Sequence, residues 1–315
     1  MVGYIARRFV GMIPTLMLLV VATAALVRLA PGNPVDLILQ ESLATPDQRA
    51  QLEDQLGLND PLLIHLIDYG GDVANGSLGH SLWNAENVRD KILERMPATV
   101  ELALLAMVVA VLLGLPIGVL GAARRNRPED LVSRTIVLIF VSIPNFVLAT
   151  AVVILPAVYW QWTPPLKYVR FSEDPLRNLE FFILPSLILG TALSASIARF
   201  TRTAMLEIYR ADFMRTARSR GLSERAVLWR HGVRNALIPV ITLVGTQIAT
   251  VLGGSVIIEQ VFGIPGLGRL LLDAIHTRDY PVVQGIALSL GLIVLVTNLA
   301  VDVCYVIADP RIRLA

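Results

Sequence analysis

Six long, predominantly apolar stretches, residues 9–30, 98–121, 135–157, 181–198, 237–258 and 282–303, constrain this chain more than any other feature. A bilayer core needs about 20 such residues per helix, so each stretch reads as a membrane span. Of the 315 residues, 55% are apolar and 17% charged, and the mean hydropathy is +0.64. Soluble domains hold roughly 45–50% apolar and about 25% charged residues. A secreted globule, a disordered chain and a coiled coil are excluded together, and the fold class is an all-α polytopic membrane protein with six transmembrane helices. The first stretch follows Arg7 and Arg8 and contains Ala22-Thr23-Ala24, as a signal peptide would. It continues to about Ala30, beyond the roughly 7–15 residues of a signal core, and reads as a retained anchor, with a cleaved signal as the alternative.

The formal net charge is only +2, but its distribution is one-sided. Arg7 and Arg8 precede span one, Arg124, Arg125 and Arg127 separate spans two and three, and Arg311 and Arg313 close the chain. Residues 199–235 carry nine arginines against Glu207, Asp212 and Glu224. Short cytoplasmic loops concentrate Lys and Arg, so both termini are expected in the cytoplasm. Residues 31–97 carry eleven acidic and four basic residues, and this stretch of 67 residues is long enough for a small extracytoplasmic subdomain. Within it, 45–57 reads as a capped short helix ended by Gly57, Asn59-Asp60-Pro61 marks a turn, and 62–69 begins a second apolar stretch. The expected organisation is a first span at 1–30, the outer subdomain at 31–97, a five-helix core at 98–303 and a tail at 304–315. Cys304 is the sole cysteine, and the four histidines lack ligand spacing, so no metal site is expected.

Polar and helix-breaking residues mark particular spans. In span three, Pro144 removes a helical hydrogen bond beside Asn145, exposing carbonyls that must face protein or a water-filled cavity. In span five, Thr242, Thr246, Thr250 and Gly253 recur on one face with Gln247 on or near it. Asn145, Thr246, Gln247 and Thr250 are candidates for lining a pathway, and packing between helices is the alternative. Glu101, Glu259 and Asp302 sit near span ends, where solvation is expected.

Between spans four and five, residues 212–221 form a compact helix signal. Asp212 is placed to cap it, Gly221 to end it in the left-handed region, and Phe213 with Ala217 to form a small apolar face. Ser223 and Ala226 restart a helix expected to reach Pro239 at the mouth of span five. A short helix held between two membrane-entering helices is a lever. On charge alone, the arginines equally serve sidedness and headgroup attraction, and membrane placement leaves no need for a nucleic acid partner.

The run Arg215-Thr216-Ala217, three residues, then Gly221-Leu222 resembles the coupling motif of permease subunits of binding-protein-dependent ABC importers. An arginine at the first position and a long interval from Gly221 to Pro239 look like the dipeptide/oligopeptide branch. APGNPVD at 30–36, GSLGHSLW at 76–83, RMPATVELALL at 95–105 and RHGVRNALIP at 230–239 are similar to the first of that branch's two permeases. So are 253–275, RDYPVVQG at 278–285 and DPRIR at 309–313. The resemblance implies a type I importer permease fold, a second homologous permease, two ATP-binding subunits and an extracytoplasmic peptide-binding protein. It implies ATPase contact by Arg215, Thr216, Ala217, Arg218, Gly221 and Leu222, and outer-gate or docking roles for Phe262, Pro265, Gly266 and Gly268. Gly263, Pro265, Gly266 and Gly268 suit a tight non-helical turn. No GxxxxGK[ST] run is present, so ATP and Mg are expected on partner subunits and no cofactor on this chain. No HExxH or GxSxG run supports an intramembrane enzyme, and an ATP-independent channel is the other rival class. Relatives of this branch carry dipeptides, oligopeptides, glutathione, nickel chelates or haem.

Overall fold

The computed structural model describes residues 2–29, 35, 61–165 and 167–308. The expected helix at 45–57 lies outside them, as does the tail from 309. The described chain is helical: α1 (Val2–Leu29), α2 (Leu62–Ala74), α3 (Val88–Ala123), α4 (Pro128–Ser142), α5 (Asn145–Trp160), α6 (Pro175–Tyr209) and α7 (Asp212–Ser219). Then follow α8 (Glu224–Ala226), a π-helical segment (Val227–Val233), α9 (Arg234–Phe262), α10 (Leu267–His276) and α11 (Tyr280–Ala308). Among the described residues, five helices are long and apolar enough to cross a membrane, or six if the bent pair of α4 and α5 counts as one span.

The break follows from Pro144. Ile143, ahead of the proline, adopts φ −98° and ψ 117°, the extended backbone that a following ring imposes. The two halves diverge by 82°. Helix α5 restarts at once, with the Val147 and Leu148 amides bonding to the Pro144 carbonyl at 3.0 and 3.2 Å. The expected span at 135–157 is therefore two helices at an angle.

The chain forms two compact units. The first comprises Ala98–Gly268 and the segment from Thr297. Its core gathers Leu102, Ala106, Phe181, Phe182, Leu189, Ile197, Val251 and Ile258. Tyr168 meets the Phe181 and Phe182 rings, and burial raises its phenol above the ordinary value, with the Glu101 charge adding to the effect. Helices α3 and α6 approach closely at three glycines. A Cβ on Gly114 would lie 2.6 Å from the Ser194 carbonyl, one on Gly118 2.6 Å from the Ala198 carbonyl, and one on Gly190 2.6 Å from the Ala106 carbonyl. Gly114 and Gly118 form a G-x-x-x-G pair, the spacing that lets helix backbones meet in lipid.

Helix α6 begins with a true cap, the Asp174 carboxylate accepting from the Arg177 amide at 3.2 Å with Pro175 next in sequence. At the arginine-rich ends of the spans, Asp130 of α4 accepts from Arg202 of α6 at 2.9 and 3.0 Å and from Arg134 at 3.2 and 2.6 Å. Its side chain is 1% exposed.

The second unit comprises Val2–Pro97 and Arg269–Val296. Asp279 accepts from the Ser81 hydroxyl and from the Leu82 amide, the latter at 3.2 Å, while the Trp83 indole donates to the Thr277 carbonyl at 2.7 Å. Gln284 donates to the Thr23 carbonyl at 3.0 Å, pinning α11 to α1. Gly291 leaves room for Leu19, and Gly285 for Val88 and Ile92.

Gly118→Val should lower stability by about 1–3 kcal/mol, because the added carbons have no space between α3 and α6. Gly253→Ala, where an added Cβ meets nothing within 4 Å, should leave it unchanged or raised. Thermal unfolding of the detergent-solubilised full chain distinguishes the two outcomes.

Candidate coupling and translocation sites

Helix α7 has the position expected of the short helix at 212–221, with its ends set differently. Ala211, not Asp212, is the N-cap, and no side chain caps the helix. Asp212 stands in the first turn, where its charge faces the positive end of the helix, and it pairs with Arg215 at 3.7 Å. Both are solvated, so the pair contributes little. At the other end, Gly221 adopts φ +75° and its amide bonds to the Arg218 carbonyl at 2.9 Å. Nothing lies within 4 Å of a Cβ built there, so backbone conformation alone requires the glycine.

The apolar face is also shifted by one residue. Met214 is 0% exposed and packs with Ala217 and Val227 against Ile208 and Tyr209, whereas Phe213 is 45% exposed. The expected Phe213–Ala217 pair is therefore corrected to Met214–Ala217. An eight-residue helix shows its buried stripe only once its neighbours are known.

Arg218 is held by the chain itself, its Nε donating to Glu224 at 2.9 Å and its guanidinium lying 5.8 Å from the Tyr209 ring centroid. Arg215, Thr216, Gly221 and Leu222 are exposed, as are Phe213 and Trp229. Two residues, Arg210 and Ala211, join α6 to α7, and the Ser223 hydroxyl caps α8 by accepting from the Ala226 amide at 3.3 Å. From α8 the chain passes through the π-helical segment into α9 without a break. The helix restarted after Ser223 reaches Pro239 as expected and continues through it in α9. The short helix is thus tied closely to α6 and continuously to α9.

On α9, Thr242, Thr246, Thr250 and Gly253 lie on one exposed strip, while Val240, Val251, Ser255, Ile258 and Phe262 are buried. The threonine at 246 donates back to Leu243 at 2.9 Å, and Thr250 approaches the Gln247 side chain at 3.5 Å. Gln247 is half-buried. Asn145 is half-buried in the first turn of α5, which packs against α9. No hydrogen bond joins Asn145 to Thr246, Gln247 or Thr250.

Beyond α9, Gly263 takes φ +66° and the Ile264 amide bonds to the Glu259 carbonyl at 2.9 Å. Gly263, Pro265 and Gly266 form the expected turn, but Gly268 lies inside α10. Phe262 and Gly266 are buried and Pro265 half-buried.

The expectation that Glu259 is solvated is overturned, since it is 0% exposed. The hydroxyl of Thr99 donates to its carboxylate at 2.8 Å and itself accepts the Leu267 amide at 2.7 Å, with Ser255 Oγ 3.3 Å from the same carboxylate oxygen. A Cβ on Gly266 would stand 2.5 Å from the carboxylate, and one on Gly268 2.9 Å from it. These two glycines make room for a buried charge. Glu101, half-buried, accepts from Asn178 at 3.0 Å. Sequence reasoning missed Thr99, which is 160 positions from Glu259 and carries no local signal.

Residues 114–314 match the family model described as "Binding-protein-dependent transport system inner membrane component", and residues 1–103 match that of its N-terminal part. The chain belongs to this family. It is 40% identical to the di/tripeptide transport system permease protein DppB of Pseudomonas aeruginosa (strain UCBPP-PA14), covering 99% of each chain. It is 39% identical to the glutathione transport system permease protein GsiC of Escherichia coli O6:H1, again over 99% of both. Among solved structures, an inward-facing form of the MetNI methionine ABC transporter aligns with 70% of this chain and 96% of its own, at a TM-score of 0.57 and 19% identity. An amino acid ABC transporter aligns at a TM-score of 0.54, covering 69% of this chain. The fold is that of type I importer permeases, and the protein is a multi-pass component of the cell membrane.

Thr99→Val should lower stability by about 1–3 kcal/mol, because it leaves the buried Glu259 carboxylate and the Leu267 amide short of a partner. Thermal unfolding in detergent reads this loss. An unchanged midpoint would show that water replaces the hydroxyl.

Proposed function

We propose that the chain is a permease subunit of an ATP-driven importer of dipeptides or oligopeptides, forming half of the translocation pathway. Full-length similarity to a di/tripeptide permease supports the substrate class. The observation that carries the coupling role is the short helix α7, buried on one side against the chain's own helices and exposed on the other. In this reading Arg215, Thr216, Gly221 and Leu222 meet a partner ATPase, while Ala217 and Arg218 hold the helix in place. Two ATP-binding subunits carry ATP and Mg, a second homologous permease completes the pathway, and an extracytoplasmic binding protein delivers peptide. The arginine-rich segments, including 199–235, face the cytoplasm with both termini.

The mechanism follows from the connections. Closure of the paired ATPases on ATP displaces α7. Two residues separate it from α6, and an unbroken helical path leads on to α9, so both membrane helices move with it. Thr246, Gln247 and Thr250, on or beside the exposed strip of α9, and Asn145 at the start of α5 then border the path of the peptide. The turn at Phe262, Pro265 and Gly266, continued by Gly268, forms the outer gate or the docking surface for the binding protein. Hydrolysis returns the pair to the inward-facing state.

Glutathione, a tripeptide, is the second reading, supported by the similarity to GsiC. Competitive uptake by the reconstituted complex, comparing dipeptides, longer peptides and glutathione, decides between them. Gly221→Val, which forces a β-branched residue into the left-handed region, should abolish peptide uptake per ATP hydrolysed while the chain still inserts. Unchanged coupling would reject the assignment of α7.

A further inference from the structure

Between α4 and α6, against the end of α3, lies a groove of about 380 Å³. One part is apolar, lined by Ile117, Val137, Leu138 and Ala198; the other presents Arg134, Arg199 and Arg202. Its residues lie at the arginine-rich ends of spans two, three and four, where a bilayer changes from acyl chain to headgroup.

The charge and donor inventory of the groove is specific. Asp130 takes two hydrogen bonds from Arg202 and two from Arg134, which fixes both guanidiniums and neutralises one of them. Each guanidinium has five N–H donors, so three on each are not taken by Asp130. Arg199 is exposed and joined to no carboxylate among the described residues. Three cations against one anion leave a net charge of +2. The hydroxyls of Ser133 and Thr203 already donate to backbone carbonyls, at 2.8 and 3.1 Å, so the free donors are guanidinium N–H groups. Preorganised, forked donors of this kind suit a phosphate. Leu138, 65% exposed, continues the groove as an apolar surface.

We propose that this groove binds an anionic phospholipid, its phosphate on Arg134, Arg199 and Arg202 and its acyl chain along Val137 and Leu138. A water-soluble anion would leave the apolar half unused, and a zwitterionic lipid would leave the net charge unmatched. The lipid would brace α4 against α6 beside the ion pair that already joins them.

The test titrates the purified full chain in detergent with phosphatidylglycerol, phosphatidylcholine or inorganic phosphate, and counts bound lipid by native mass spectrometry. Arg202 is left intact because it is the less exposed of the two arginine partners of buried Asp130 and keeps that carboxylate paired when Arg134 is changed. Removing a surface arginine weakens attraction to an anionic lipid by roughly fivefold, so Arg199→Gln should weaken phosphatidylglycerol binding by about fivefold and Arg134→Gln with Arg199→Gln by about 30-fold. Arg199→Gln alters an exposed side chain without a salt bridge and keeps the reading independent of folding. Preference for phosphatidylglycerol over phosphatidylcholine together with these losses supports the site. Equal retention of the two lipids, unchanged binding in the double variant, or displacement of phosphatidylglycerol by equimolar inorganic phosphate would overturn it.

Discussion

Helices in lipid gain nothing by hiding apolar surface from one another, so they associate where their backbones can approach. The contact of α3 with α6 meets that condition. Gly114, Gly118 and Gly190 bring backbone carbonyls to distances that any side chain would prevent. The rest of the first unit is arranged around this pair. Helices α4, α5 and α9 all pack on or beside α6, and the short helix α7 follows two residues after its end. In the proposed coupling role, the close contact of α6 with α3 would pass a displacement at α7 on as movement of a helix.

Two buried carboxylates tie the ends of the same unit. Asp130 joins α4 to α6 through Arg202, close to Gly121 of α3, and Glu259 joins α9 to α3 through Thr99. Gly121 and Thr99 are separated by roughly 33 Å of helix at ~1.5 Å per residue. Burying a charge is costly unless it is paired or hydrogen-bonded, and each carboxylate meets the requirement differently. Asp130 has two guanidiniums. Glu259 has the Thr99 hydroxyl as donor, with Ser255 Oγ nearby, and the space left by Gly266 and Gly268. The turn from Gly263 to Gly266 is therefore anchored at its base.

Much of the architecture was legible in the residues. The apolar runs located the five long helices and the bent pair α4–α5, Pro144 located the break in that pair, and the interval from Asp212 to Gly221 located α7 with its left-handed end. These features are local, decided by span length, ring closure and the freedom of glycine. The failures share a cause as well. Phe213 was expected inward and Met214 lies there instead, because over eight residues the direction of burial is set by Tyr209 and Val227. Glu259 was expected in water because it stands near a span end, and a hydroxyl 160 residues away keeps it buried.

By itself the sequence determined that lipid is the solvent, where the long apolar helices lie, which segments carry the positive charge and where the helix at Pro144 breaks. Those follow from apolar length, charge count and the missing amide of proline. Only the tertiary structure decided which face of α7 is buried, that Glu259 is enclosed with Thr99, and that three arginines border one groove with an apolar wall. Such outcomes depend on distances between helices far apart in the chain. No local rule sets those distances until the glycines of α3 and α6 have brought the backbones together.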